Sequence, residues 1–382
     1  MKIVSVIFLF HCFLFVSCVN NEPTQVGEEI QISIKDLECD TIKVADWVTE
    51  LEIIPLECKS SCMIGEPKKF IVTDKGFLIH DWQNGNEKVL YFDKQGNFLN
   101  KIGDIGRSKK EYYSIYTLTT DRKGDSIFIS CCGRKNMLYD CKGNYIISKD
   151  QGFDHGPIDY SVKIPSGYIC ASIYSGPDYQ LHVYDKNLNL VDELLSTNGI
   201  KTQYPSSEFD RLRINDNTLI YCDFHYSTFN CIDLLNRKQI VRYHFIDDVM
   251  FSLDKVKEDY DYSDIYAPKT YNDISNFYIE DDNIICSICD TDYQSNLISI
   301  NMKTNKICRL IYDDWVPWIN DYYKGNYYIL MEQTEFLELV EEHDYESEPT
   351  NSEFARILKK AYRSSGLKID EKSNFVIIKF KG

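Results

Sequence analysis

The chain has 382 residues, 43% of them hydrophobic, which is enough for one large domain or two. Its 28 Tyr and 20 Phe suit strands better than helices. A formal charge of −17, with no contiguous basic stretch to neutralise phosphates, excludes nucleic acid as a partner and excludes electrostatic adhesion to an anionic membrane.

The N-terminus reads as an address. Lys2 precedes an apolar run, Ile3 to Val16, that is too short to span a bilayer and has the form of an export signal. It ends Phe15-Val16-Ser17-Cys18, which resembles a bacterial lipobox, where the thiol is acylated and the signal is cut ahead of it. The expected organisation is a signal over residues 1–17, a lipidated tether over 18–40 and one folded domain over 41–382. Membrane contact is then through the Cys18 lipid alone, on an outer-membrane lipoprotein facing the periplasm or the cell surface.

Leu51 to Leu56 is a short strand with Pro55 near its end, which predicts an edge position. A pattern then recurs: an apolar pair ending in Asp, three turn residues, Asn, and apolar residues again. It runs from Tyr91-Phe92-Asp93 to Asn97-Phe98-Leu99, and returns after Asp140, Asp185, Asp233 and Asn301. The Asp positions 93, 140, 185 and 233 lie 47, 45 and 48 apart, the period of a four-stranded propeller blade. A second set of turns, at Asp74–Gly76, Arg122–Gly124, Pro165–Gly167, Asn215–Asn217, Asp281–Asn283 and Lys324–Asn326, marks six inner hairpins.

Two insertions interrupt the period. One, Ile246 to Tyr271, is rich in Asp and Tyr and predicts a loop. The other, Glu332 to Gly366, holds a helix with Thr350 and Glu353 as a capping box, Gly366 as its stop, and Phe354, Ile357, Leu358, Ala361 and Tyr362 on one face. Asn374 to Phe380 is then the third strand of blade six and Leu51 to Leu56 its fourth, so both chain ends close the ring and remove its open edges.

Several pieces carry a family resemblance: Ile54-Pro55-Leu56-Glu57, Met63-Ile64-Gly65, Phe92 to Phe98, Lys101-Ile102-Gly103 through Glu111-Tyr112, and Asn374 to Phe380. They resemble the six-bladed β-propeller lipoproteins of Bacteroidetes, relatives in shape of NHL-repeat propellers. Where that family has Gly-Pro-Gly-Glu-Tyr, this chain has Ser108-Lys109-Lys110-Glu111-Tyr112. The resemblance implies an all-β, six-bladed propeller in the cell envelope and no particular activity.

Fourteen cysteines in an exported chain raise the question of disulfides. Cys58 and Cys62 straddle a loop and are the best pair; Cys286 and Cys289 form a CxxC whose thiols point to opposite faces of a strand. Histidines never fall at close metal-ligand spacing, so no metal or cofactor is expected. Neither a Gly-x-Ser-x-Gly elbow nor a phosphate-binding glycine loop is present, and no catalytic residue can be nominated.

A propeller's ligand site is expected at the mouth of its channel, among loops leading into the innermost strands and loops between second and third strands. The former carry Arg107, Glu111, Tyr112, Asp154, His155, Arg211, Arg213, Trp315 and Trp318; the latter carry Asp81, Trp82, Arg134, Tyr174 and His225. All but Asp154 and Arg213 form the candidate site, in which rings stack on sugar faces and carboxylates take hydroxyl protons. The reading is a monomeric binding module for a glycan, peptide or partner protein. Its alternatives are a hydrolase or lyase at the channel mouth, and a scaffold docking a partner through the insertion helix.

Overall fold

The computed structural model describes residues 27–382 apart from 84, 132–134, 152–157, 172–178, 197–209, 224–226, 248–272, 290–294 and 342–347. Its smallest repeating device is the Asp turn. Asp93 Oδ1 accepts from the backbone N–H groups of Gln95 (2.9 Å) and Asn97 (2.8 Å), and Oδ2 accepts from Asn97 Nδ2 (2.9 Å). Asp140 with Asn144 and Asp185 with Asn189 repeat the arrangement. A carboxylate suits this place because one side chain accepts three bonds at once, although in blade five Asn301 Oδ1 accepts three as well, from Lys303 N, Thr304 N and Thr304 Oγ1.

The residue before that Asn is left-handed, at φ 84° for Gly96, 82° for Gly143 and 62° for Leu188. Glycine at the first two positions also permits close approach. A Cβ on Gly96 would stand 2.3 Å from the Pro55 carbonyl oxygen, and one on Gly143 would stand 2.4 Å from that of Lys101. Each of these turns therefore tucks against the outermost strand of the neighbouring blade.

Six sheets of this kind stand in a ring. Blade one runs outward from the axis as Pro67–Val72, Gly76–Gln83, Asn86–Asp93 and Phe98–Lys101. The innermost strands of the other blades are Ile115–Thr120, Tyr160–Ile164, Leu212–Asn215, Asp273–Glu280 and Asp321–Tyr323. Neighbouring innermost strands touch in cyclic order, and the last touches the first, so the ring is closed. Blade six is completed as expected: Thr49–Pro55 pairs antiparallel with Val376–Lys381, setting Val376 opposite Pro55 and Ile378 opposite Ile53.

The core lies between blades. Phe128 and Leu138 of blade two pack with Tyr168 and Tyr184 of blade three, and Phe229 of blade four packs on Phe277 of blade five at 5.1 Å. Wedge-shaped gaps between radial sheets are filled by large flat rings, which is why the chain is rich in Tyr and Phe.

Two expectations need correction. Residues 28–40 are not a loose tether. Glu28–Ile32 adds a parallel fifth strand to blade four, beside Lys238–Phe245, and Cys39–Ile42 adds one to blade five, beside Ile307–Tyr312. Between them Asp247 accepts from Ile34 N at 2.7 Å and Ser33 Oγ at 3.3 Å. The insertion helix, Glu353–Ser365, is capped by Ser352, whose Oγ accepts from Ala355 N at 3.1 Å, and not by Thr350. Gly366 ends it at φ 68°, as expected. A second helix, Gln333–Val340, precedes it. Phe354 and Leu358 are fully buried beside Val376 and Phe380, so the apolar face expected on the helix is spent inside the protein. Most of the other insertion, 246–271, lies outside the described residues. Among the described residues no helix is long and apolar enough to cross a membrane.

Candidate functional site

All six inner hairpin turns converge at one end of the ring. Asp74, Arg122, Pro165, Asp216, Asp281 and Lys324, one from each blade, frame a cavity of about 1040 Å³ that runs down the axis to Lys69 and Asp210. Strand alternation explains the lining: an innermost strand presents every second residue to the axis, and its turn residues reach over the rim.

Ion pairs organise the wall. Lys69 Nζ lies 2.5 Å from Asp210 Oδ1, and Arg213 lies 3.0 Å from Asp210 Oδ2. Burial works to raise the Asp210 carboxyl, but the Lys69 and Arg213 cations outweigh it and hold its pKa below the usual carboxylate range. Arg122, in the turn of blade two, reaches past blade one to blade six. Its two terminal nitrogens meet the two oxygens of Asp321 at 2.5 and 2.9 Å, and one of them also donates to Val72 O at 2.9 Å. Asp74 accepts from Tyr323 OH at 2.9 Å and pairs with Lys324. Those hydrogen bonds, Lys324 first and Tyr323 second, lower its pKa.

Lys163 is different. Its ammonium sits 4.1 Å above the ring of Tyr168, and burial lowers its pKa. Lys123 and Lys186 line the same side of the cavity.

None of the candidate residues that the structure describes lines this cavity. Asp81 is buried and serves the fold, accepting from Gly65 N at 2.9 Å and Glu66 N at 2.7 Å. Trp82 is partly exposed beneath Lys68, and Arg107 is exposed. Glu111 folds back to accept from Ser108 N at 2.9 Å. Tyr112 is fully buried against Tyr139, and burial pushes its hydroxyl pKa upward. Arg211 is buried and donates to Ile274 O at 2.7 Å. Trp315 packs edge-on against Phe354. Trp318 lines a smaller apolar pocket of about 240 Å³ with Tyr312 and Leu297 between blades five and six. Arg134, His155, Tyr174, His225 and Cys18 lie outside the described residues.

Cys58 and Cys62 are both free thiols. Cys58 Sγ donates to Lys372 O at 2.9 Å and Cys62 Sγ to Glu57 O at 3.1 Å, so each is engaged away from the other. Arg122, Lys163 and Asp321 were not singled out beforehand. Arg122 stands in one of the six inner hairpin turns read from the sequence, and nothing local marks it as a residue spanning three blades.

Among curated proteins none is similar to the chain. Its fold is similar to that of a protein described as exported, from Bacteroides fragilis NCTC 9343, with a TM-score of 0.67 at 13% identity over 93% of this chain and 99% of that one. It is also similar to a member of the DUF4221 family from Bacteroides vulgatus ATCC 8482, with a TM-score of 0.53 at 10% identity over 88% of this chain and 97% of that one. Over residues 28–381 the sequence matches one family pattern throughout, and the chain belongs to that family, a domain of unknown function designated DUF4934.

Proposed function

We propose that the protein is an extracytoplasmic binding module that holds a small polar ligand in the axial cavity at the turn end of its ring. One observation carries this reading. In a chain of formal charge −17, seven Lys and Arg side chains stand against six Asp around this single cavity. Low-dielectric walls focus the field of such groups, so the cavity differs in potential from the acidic surface around it.

Recognition there would rest on charge and hydrogen bonds more than on stacking. The Tyr323 ring lies near both Arg122 (5.0 Å) and Lys324 (5.2 Å), and Phe70 stacks on Phe77 at 5.9 Å. A glycan or a peptide with exposed polar groups fits these terms. The lowered Asp74 and Asp210 carboxyls stay ionised at neutral pH, which suits acceptors better than the general acid that a hydrolase needs. With Phe354 and Leu358 buried, the scaffold alternative loses the face it would use.

Export is supported by the apolar N-terminal run and by the fold shared with an exported Bacteroides protein. Glu28 pairs with Val241, near the start of Lys238–Phe245, so the strand Glu28–Ile32 begins at the turn end. A lipid on Cys18 would tether the ring through this strand. Calorimetric screening of residues 19–382 against glycan and peptide panels tests the binding role. A hit lost in Asn215→Trp, which fills the cavity rim, supports it; a hit indifferent to that change places binding elsewhere. Cys18→Ala should move the protein out of the membrane fraction, and its retention there would refute the anchor.

A further inference from the structure

The cations of the cavity fall into two groups. Lys69 and Arg213 share Asp210, Arg122 holds Asp321, and Lys324 holds Asp74, so each of these four has a carboxylate partner within the protein. Lys123, Lys163 and Lys186, all on blades two and three, make no ion pair among the described residues. The one carboxylate acting on Lys163 is Asp121, whose Oδ1 accepts from Asp125 N at 3.0 Å, while Lys186 repels it. On that side three ammonium groups face the single lining carboxylate Asp121, while the two other lining carboxylates not yet paired, Asp216 and Asp281, stand on blades four and five. Lys163 is moreover half-buried and fixed over Tyr168, where a lysine does not settle without a counter-charge unless solvent or a ligand supplies it.

We propose that the blade-two and blade-three side of the cavity is a subsite for an oxyanion, a carboxylate or phosphate group on the ligand, held by Lys163 with Lys123 and Lys186. This rests on the cavity being the binding site and names the chemistry it selects. The protein's negative surface then acts as a filter: a diffuse polyanion is repelled from it, whereas a compact ligand with one or two anionic groups gains at this wall what it loses on approach. A uronate sugar and a sugar phosphate both supply the group.

The probe is inorganic pyrophosphate, titrated by calorimetry at low salt into residues 19–382. Saturable binding is expected, weakened about tenfold or more in Lys163→Met and further in the triple variant with Lys123→Ala and Lys186→Ala. Lys379→Ala, which removes a cation paired with Glu52 outside the cavity, should bind as the parent does. Absence of saturable binding by the parent chain, or equal binding by Lys163→Met, overturns the proposal. Trigalacturonate and glucose 1-phosphate distinguish the two sources; either binding more tightly than maltotriose supports the subsite, and equal binding of all three contradicts it. A panel hit lost in Asn215→Trp but untouched by Lys163→Met would overturn the subsite and leave the cavity reading standing. Pyrophosphate binding with panel hits indifferent to Asn215→Trp would do the reverse.

Discussion

Lys69 of blade one and Asp210 of blade four meet at 2.5 Å across the axis of the ring. Blades one and four face each other in a ring of six, so this contact spans the channel, and Arg213 fixes the other carboxylate oxygen from blade four itself. Arg122 with Asp321 makes a second tie, from blade two over blade one to blade six. Removing one partner of the Lys69–Asp210 pair should cost more than breaking a surface pair, because both side chains are largely shielded.

Asp210→Asn should lower stability by about 2 kcal/mol at pH 7, as expected for loss of a partly buried, charge-assisted contact. The sign with pH follows from the lowered carboxyl. Its contribution is present above the unfolded pKa and disappears as pH falls through the lower folded value. Urea unfolding at pH 7 and near pH 3 should thus show a gap between parent and variant that closes in acid. A gap of equal size at both values would mean that the charge contributes nothing.

Gly96 and Gly325 separate backbone strain from blade packing. Both are left-handed, at φ 84° and 72°, but a Cβ on Gly325 meets nothing within 4 Å. Gly325→Ala should cost about 1 kcal/mol. Gly96→Ala adds a clash with the Pro55 carbonyl and should cost at least about 2 kcal/mol more, because the neighbouring blade must move. Equal losses in thermal melts would show that the approach of the turn to the closing strand is loose.

Glu280 accepts from Tyr327 OH at 2.5 Å, yet burial raises its pKa above the usual range. A raised carboxyl weakens the fold above its unfolded pKa, because the native state then holds a costly charge. Glu280→Gln keeps an acceptor and removes that charge. It should raise stability by about 1 kcal/mol at pH 7.5 and change it little at pH 4. Destabilisation at pH 7.5 would contradict this account of the site.

The N-terminal strands should differ in importance. Glu28–Ile32 and Cys39–Ile42 lie outside complete blades, whereas Thr49–Pro55 is the fourth strand of blade six. Removing residues 1–36 should leave a folded ring with a lower melting temperature. Extending the deletion through residue 55 should abolish cooperative unfolding, since it reopens the edge that the closure covers.

Architecture was legible because it is written periodically. The Asp turns recur at nearly even spacing, and Asn374 to Phe380 pairs with the early strand as the blade count requires. The parallel strands were not legible. Glu28–Ile32 buries only Ile32 and Cys39–Ile42 buries none fully, so neither shows the alternation that marks a half-buried strand. The location of the cavity was hidden for another reason. Trp, His and Tyr draw attention in a sequence, but Tyr112 and Arg211 are consumed by the core. The wall of the cavity is built from turn residues such as Asp74, Arg122 and Lys324, which also serve as ordinary turn formers. Only their convergence in space gives them a second use.

Hydrogen exchange of residues 19–382 with and without a saturating ligand from the panels tests the central claim most directly. Slowed exchange should appear at the inner turns, Asp121 to Gly124 of blade two and Asn215 to Asn217 of blade four, both on the cavity rim. Slowing confined to Ile105–Tyr113 and Trp315–Ile319, with those turns unchanged, would contradict it.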